Sequence, residues 1–209
     1  MKKRILCFGD SNTWGHDPAS GARFDEDTRW TGILQNLLGS DYTVIEEGMR
    51  GRTTVWDDPV DNRMSGVSYL WPCLDSHAPV DLVVIMLGSN DLKIQWNLHP
   101  KSVALGVGRL VEMTQKCYFG PNLAAPQVLL VSPIHMTNAN ACPYFFDETS
   151  LAKSRQLSGE YREIARQTGC HFLDAAQHAV ADPAEGIHLN PEGHKNLAEA
   201  LYKKVTEIL

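Results

Sequence analysis

The six residues 82–87, with the sequence LVVIML, are apolar and show no alternation with polar side chains. A strand that faces water on one side alternates polar and apolar residues, whereas an uninterrupted apolar run indicates a strand covered on both faces. Such strands are typical of parallel sheets, whose crossover helices cover each face. The run therefore predicts an α/β protein with this strand near the centre of its sheet.

Four other short runs rich in strand-forming residues recur along the chain, and helical patterns fill the intervals between them. The predicted strands are residues 4–9, 42–46, 80–87, 127–132 and 170–173, and the predicted helices are residues 29–38, 65–76, 100–117, 147–168 and 191–209. Pro72 is a predicted kink, and Asn190 with Pro191 marks the start of the last helix. This alternation predicts a three-layer α/β/α sandwich. A chain of 209 residues suits a single domain, residues 1–209.

Composition narrows the classes of partner. The formal charge is −6, and the chain has no cluster of Lys and Arg beyond residues 2–4, which argues against binding to nucleic acid. The five cysteines are scattered and none has CxxC spacing, so we expect neither a disulfide framework nor a zinc ribbon. No apolar run approaches the length of a membrane span. Free thiols suit a reducing cytosol, so we expect a cytoplasmic protein without membrane contact.

A serine hydroxyl lies directly after the first predicted strand, at the carboxyl edge of the sheet. In the segment ILCFGDSNT, residues 5–13, Ser11 follows directly after the strand. Ligands of open parallel sheets bind beyond the carboxyl ends of the strands, where the strand order reverses. Ser11 is therefore a candidate nucleophile, although a polar turn that only closes the strand is an equal alternative. Asp10 is a poor partner for it, because adjacent side chains of an extended segment point to opposite sides.

A serine nucleophile needs a base, and the base needs a third group to orient it. His188 follows the last strand, at the same predicted sheet edge as Ser11, and Glu185 lies three residues before it. His194 is a weaker candidate because it lies about one turn inside the last helix. Four other histidines have polar or loop surroundings in which a solvated imidazole suffices: His16, His77, His99 and His178.

Donors for a developing oxyanion are available on two further loops. Asn90 follows the central strand in the sequence GSND, and Gly51 follows the second strand in GMRGR. Each block alone is ordinary turn composition. Their arrival at one sheet edge together with Ser11 and His188 is what favours an active site.

These blocks resemble the SGNH hydrolases, also called GDSL-type esterases and lipases. The blocks are GDSNT, the loop around Gly51, GSND and EGIH, and the longer segments RILCFGDSNTWG, VIEEGMRGRTT and DLVVIMLGSND are similar to the bacterial arylesterase and acyltransferase branch. The resemblance implies a flavodoxin-like sheet of five parallel strands in the order 2-1-3-4-5. It also implies no metal or organic cofactor, and relatives in this branch often form homo-oligomers.

Carried onto this sequence, the resemblance implies that Ser11 is the nucleophile and His188 the base. The oxyanion hole would consist of the backbone amides of Ser11 and Gly51 with the side chain of Asn90. The family usually has aspartate three residues before the catalytic histidine, where this chain has Glu185, and Asp182 lies three residues further upstream. We expect Glu185 to be the triad acid and keep Asp182 as the alternative.

Trp14 and Ile187 flank the nucleophile and the base, and the resemblance implies that they line the substrate pocket, although ordinary packing explains them equally well. Two long segments without regular pattern, residues 14–28 and 134–146, have the length of lids or binding loops. The aromatic residues 144–146 would either cap the site or form a subunit contact.

The expected function is hydrolysis of short-chain carboxylic esters, aryl esters included, through an acyl-enzyme. Acyl transfer to an alcohol or a peroxide would use the same intermediate. A carbohydrate acetylesterase or a thioesterase with the same chemistry is one alternative. A non-enzymatic, flavodoxin-like module that binds phosphate or a nucleotide with residues 10–13 is another.

Overall fold

One sheet of five parallel strands, in the order β2-β1-β3-β4-β5, organises the computed structural model of the protein, which describes residues 2–59 and 65–209. The strands are β1 (Lys3–Gly9), β2 (Tyr42–Gly48), β3 (Leu82–Met86), β4 (Gln127–Ser132) and β5 (His171–Asp174). The predicted strands and the strand order implied by the resemblance are confirmed. The ends of the strands differ from prediction by at most two residues.

Helices connect the strands and cover both faces of the sheet. Within the described residues the α-helices are α1 (Ser11–Trp14), α2 (Trp30–Leu38), α3 (Gly66–His77), α4 (Pro100–Gln115), α5 (Glu148–Ser154), α6 (Leu157–Thr168) and α7 (Pro191–Ile208). The predicted start of α7 is confirmed, because the Oδ1 atom of Asn190 accepts a hydrogen bond from the backbone N–H of Gly193 at 2.9 Å.

Successive side chains of each central strand point to opposite faces and so enter two separate cores. Phe8 and Ile85 pack with α3, α4 and α6 on one face. Cys7 and Val84 pack with α2 and α7 on the other. Because both faces are covered, β3 has no side that meets water, which is the physical reason for its unbroken apolar sequence.

The predicted helix over residues 147–168 is wrong as a single element. The chain turns at residues 155–156, between α5 and α6. The α5 helix is tied to the loops that follow β3 and β4, because the Ser150 hydroxyl donates to the carbonyl of Leu92 at 2.8 Å and the Ser154 hydroxyl accepts from the N–H of Met136 at 3.1 Å. The α6 helix packs instead on α4 and the sheet. These two sets of contacts require different directions of the chain.

The strand order reverses between β1 and β3, so a crevice opens beyond their carboxyl ends. The segments after β1 and β3 meet there with the segment after β5. Among the described residues, no helix combines the length and the apolarity needed to cross a bilayer.

Candidate active site

The loop after β1 is built so that Ser11 begins a short helix at the sheet edge. Asp10 is the N-cap of α1, and its carboxylate accepts a hydrogen bond from the backbone N–H of Asn12 at 2.9 Å. Gly9 has no room for a side chain, since a Cβ atom there would lie 2.1 Å from the Thr13 hydroxyl oxygen. Burial raises the pKa of Asp10 to about 6, against the lowering effect of this hydrogen bond.

Ser11, His188 and Glu185 form one continuous chain of hydrogen bonds. The Ser11 Oγ atom lies 2.8 Å from His188 Nε2, and His188 Nδ1 lies 2.7 Å from Glu185 Oε1. The other carboxylate oxygen of Glu185 accepts from the backbone N–H groups of Ile187 at 2.8 Å and His188 at 2.7 Å. A carboxylate in this place selects the imidazole tautomer that carries its proton on Nδ1 and leaves Nε2 free to accept one from the serine.

Glu185 is partly buried, which alone would raise its pKa. The hydrogen bond and charge of His188, together with the two backbone donors, outweigh this effect, so the pKa of Glu185 lies below its ordinary value. The carboxylate is therefore ionised at neutral pH. It can stabilise an imidazolium on His188.

Asp182 contacts the backbone of the same loop. Its Oδ1 atom accepts from the N–H groups of Ala184 at 2.9 Å and Glu185 at 3.0 Å. The turn also depends on Gly186, whose φ of 79° and close approach to Asn138 exclude a side chain. The geometry thus places Glu185 against the imidazole and Asp182 beneath the turn that presents it.

The candidate oxyanion donors are held by a second network. The Asn90 amide donates to the carbonyl of Arg52 at 3.1 Å, which leaves its other N–H available. Arg52 in turn donates to the carbonyls of Gly9 at 3.0 Å and Glu47 at 2.5 Å. Gly51 adopts a φ of 78°, a backbone conformation that glycine takes without strain.

Asp91 ties the loop after β2 to the loop after β3. Its carboxylate accepts from the backbone N–H of Thr54 at 3.0 Å and from the Thr54 hydroxyl at 2.5 Å. Asp91 is fully buried, and burial raises its pKa to about 6. The positions of Gly51 and Asn90 therefore depend on buried polar contacts as well as on the strands.

A cavity of about 280 Å³ opens at this constellation. Ser11, Gly51, Asn90 and His188 all line it. Its apolar wall consists of Cys142, Phe145, Phe146 and Ile187, and its cationic lining residues are Arg50 and Lys93. The long loop over residues 134–146 thus supplies part of the wall. The Nζ atom of Lys93 also lies 3.6 Å from the buried carboxylate of Asp58.

Trp14 is not among the described residues that line this cavity, although Ile187 is. The indole of Trp14 packs instead against Arg50, whose guanidinium carbon lies 4.4 Å from the ring centroid. Trp14 thus contacts Arg50, which itself lines the cavity.

Three histidines have surroundings that differ from those of a solvated surface residue. The expectation for His16 is wrong, because its ring lines the cavity and lies 4.2 Å from the ring of His188, centroid to centroid. His77 pairs with Glu47 at 2.8 Å. His194, the weaker candidate base, is fully buried and accepts from the backbone N–H of Trp30 at 3.2 Å. Burial lowers its pKa to about 4.

Asn12 joins the nucleophile loop to the base loop, a contact that was not predicted from the sequence. Its Oδ1 atom accepts from the N–H of Leu189 at 2.9 Å, and its amide donates to the carbonyl of Ile187 at 3.4 Å. The two loops are 175 residues or more apart in sequence. The only available signal was an amide residue directly after a candidate nucleophile.

One group of metal-binding residue types lies among the described residues, away from the cavity. Donor atoms of Glu47, Cys73 and His77 all lie within 4.8 Å of one another. The carboxylate of Glu47 is already bonded to His77, and burial raises the pKa of the Cys73 thiol to about 12. Because the thiol is protonated and the carboxylate already accepts a hydrogen bond, we interpret this group as a hydrogen-bond network and not as a metal site.

Comparisons with known proteins give matches over nearly the whole chain. The model of the GDSL-like lipase/acylhydrolase family matches residues 7–195. A carbohydrate acetylesterase from Sinorhizobium meliloti is 38% identical, with a TM-score of 0.94 and 100% of both chains covered. The aryl esterase of M. smegmatis is 40% identical, with a TM-score of 0.92 over 99% of this chain and 100% of that chain. None of the curated proteins compared matches the chain.

Proposed function

The chain belongs to the GDSL-like lipase/acylhydrolase family and is an ester hydrolase of that type, and from this premise we propose that it cleaves short-chain carboxylic esters through an acyl-enzyme on Ser11. Aryl esters are included, as in the arylesterase and acyltransferase branch. The observation that carries the proposal is the hydrogen-bonded chain from Ser11 through His188 to Glu185, with distances of 2.8 Å and 2.7 Å.

In the first half-reaction the Oγ atom of Ser11 forms a bond to the ester carbonyl carbon while its proton passes to Nε2 of His188. The carbonyl oxygen becomes an oxyanion, which the backbone amides of Ser11 and Gly51 and the side chain of Asn90 would stabilise. When the carbon–oxygen bond to the alcohol breaks, His188 returns its proton to the departing alcohol. Ser11 is then acylated.

In the second half-reaction a water molecule loses a proton to His188 and attacks the acyl carbon. The bond to Ser11 breaks, the serine recovers the proton, and the free acid leaves. An alcohol in place of water gives a new ester, and a peroxide gives a peracid. Glu185 stays ionised throughout and stabilises the imidazolium in both halves.

The cavity supports a short acyl group. Its volume of about 280 Å³ lies at the lower end of the usual range for pockets that bind drug-sized ligands. Phe145, Phe146 and Ile187 would contact the apolar part of the substrate. Acetyl groups on a sugar are a second candidate substrate, favoured by the similarity to a carbohydrate acetylesterase over the full chain.

A non-enzymatic phosphate-binding role for residues 10–13 has less support. Asp10 bonds the backbone N–H of Asn12, an amide that a bound phosphate would need. When the carboxyl group of Asp10 is ionised, it would also place a negative charge beside the bound phosphate.

The proposal is tested with a serine-directed fluorophosphonate and a series of nitrophenyl esters from acetate to longer acyl chains. We expect labelling of Ser11 and turnover that falls as the acyl chain lengthens. Ser11→Ala should abolish both, whereas Ser89→Ala, which removes another hydroxyl from the same cavity, should retain both. Absence of labelling and turnover in the wild-type protein would refute the proposal. A parallel assay with an acetylated monosaccharide separates the two candidate substrates.

A further inference from the structure

His16 holds its imidazole against that of His188 on the same loop that carries the nucleophile. The ring centroids are 4.2 Å apart and the ring planes are tilted by 44°. The backbone N–H of His16 donates to the carbonyl of Ser11 at 3.0 Å, and a bridge to Arg23 fixes the backbone further. The backbone of His16 is thus held against that of Ser11, and its ring lies against the ring of His188.

The groups around His16 favour its neutral form. His188 and Glu185 face it from the base loop, Arg50 faces it from the loop after β2, and Asp17 lies on its own segment. Burial, assisted by His188 and Arg50, outweighs the two carboxylates and lowers the pKa of His16 below 6.5. At neutral pH the base therefore has an uncharged aromatic ring beside it.

We propose that His16 is a positioning residue for His188, an inference that rests on the proposed function. Its neutral ring supports the imidazole in line with Ser11 and Glu185, and its π system stabilises the imidazolium that forms during catalysis. A protonated His16 would instead place a like charge about 4 Å from that imidazolium and oppose it. The pair therefore works only while His16 is uncharged.

Two substitutions separate the ring from its charge. His16→Phe retains a flat aromatic ring that cannot be protonated. The buried Nδ1 atom of His16 has no hydrogen-bond partner in the described part of the chain, so the phenyl ring removes no hydrogen bond at that atom. His16→Ala removes the ring altogether.

At neutral pH we expect His16→Ala to lower kcat by about 2- to 30-fold, the range of a cation–π contact. KM should change little, because the imidazolium exists only in the transition state and the intermediates. His16→Phe should stay close to the wild type. Thermal unfolding of each variant measures whether the fold is retained.

The pH dependence of kcat/KM distinguishes this role from a purely structural one, because a structural role would leave it unchanged. In the wild type the acid limb of log kcat/KM should steepen towards a slope of two, because a proton on either imidazole blocks the reaction. In His16→Phe the slope should stay at one. The proposal is overturned if His16→Ala has the kcat of the wild type, or if His16→Phe keeps the two-proton limb. If His16→Ala does not fold, the pH profile of His16→Phe alone tests the proposal.

Failure of this inference is distinguishable from failure of the proposed function. An inactive Ser11→Ala together with His16 variants identical to the wild type rejects only the role of His16. A fully active Ser11→Ala rejects the proposed function itself.

Discussion

Replacing Glu185 by Gln tests how the base is oriented while hardly changing the size of the side chain. The carboxylate of Glu185 accepts three charge-assisted hydrogen bonds, one from Nδ1 of His188 and two from backbone N–H groups. A glutamine can keep the backbone bonds through its carbonyl oxygen. The group that then faces Nδ1 is an NH2 donor, which forces the imidazole into the tautomer with its proton on Nε2.

That tautomer cannot accept the proton of Ser11, and the negative charge that stabilises the imidazolium is also gone. In serine proteases the equivalent carboxylate-to-amide change lowers kcat by about 10⁴-fold. Glutamate and aspartate differ by one methylene, but the bond of 2.7 Å to His188 shows full contact. We therefore expect Glu185→Gln to lower kcat by about 10³- to 10⁴-fold with little change in KM.

Asp182→Asn is the matched control. Its Oδ1 atom can still accept from the N–H groups of Ala184 and Glu185, so the turn should persist and kcat should stay within about threefold. The assay is steady-state hydrolysis of nitrophenyl acetate, with circular dichroism to confirm folding. A large loss in Asp182→Asn beside near-normal activity in Glu185→Gln would refute the assignment of Glu185.

Three further predictions concern the contacts around the site. Asn90→Ala should lower kcat about 100- to 1000-fold in the same assay, since it removes one oxyanion donor; a kcat near that of the wild type would exclude this role. Asn12→Ala should lower the free energy of unfolding in urea by about 1–3 kcal/mol, because it leaves the buried N–H of Leu189 without its partner; unchanged stability would contradict the importance of this link. Asp91→Asn should gain stability relative to the wild type as the pH rises. The pKa of Asp91 is raised from 3.8 to about 6 in the folded state, so its carboxyl favours the fold most below about pH 4 and loses this contribution as the pH rises through 6. The stability difference between variant and wild type should therefore shift by about 2 kcal/mol in favour of the variant between about pH 4 and about pH 7, and a difference independent of pH would refute it.

Local patterns predicted the strands well, since the apolar run at residues 82–87 and the shorter runs around it depend on burial alone. The break between α5 and α6 was not predictable in this way. Ser150 and Ser154 bind backbone groups of Leu92 and Met136, and such partners are known only after the chain has folded. The same is true of His16, whose surroundings in sequence are those of a polar loop while its ring packs on a residue 172 positions away.

The amino-acid sequence alone was enough to predict the α/β class and the resemblance to a family of ester hydrolases. It also showed that Ser11, Asn90 and His188 each follow a predicted strand. These depend on strand-length apolar runs and on short motifs, which are local properties of the chain. Only the tertiary structure decided between Glu185 and Asp182 as the neighbour of His188. It also brought His16 against that histidine and packed Trp14 on Arg50. Each of these depends on distances of a few ångströms between loops, and loop geometry is set by contacts with distant residues that no local pattern encodes.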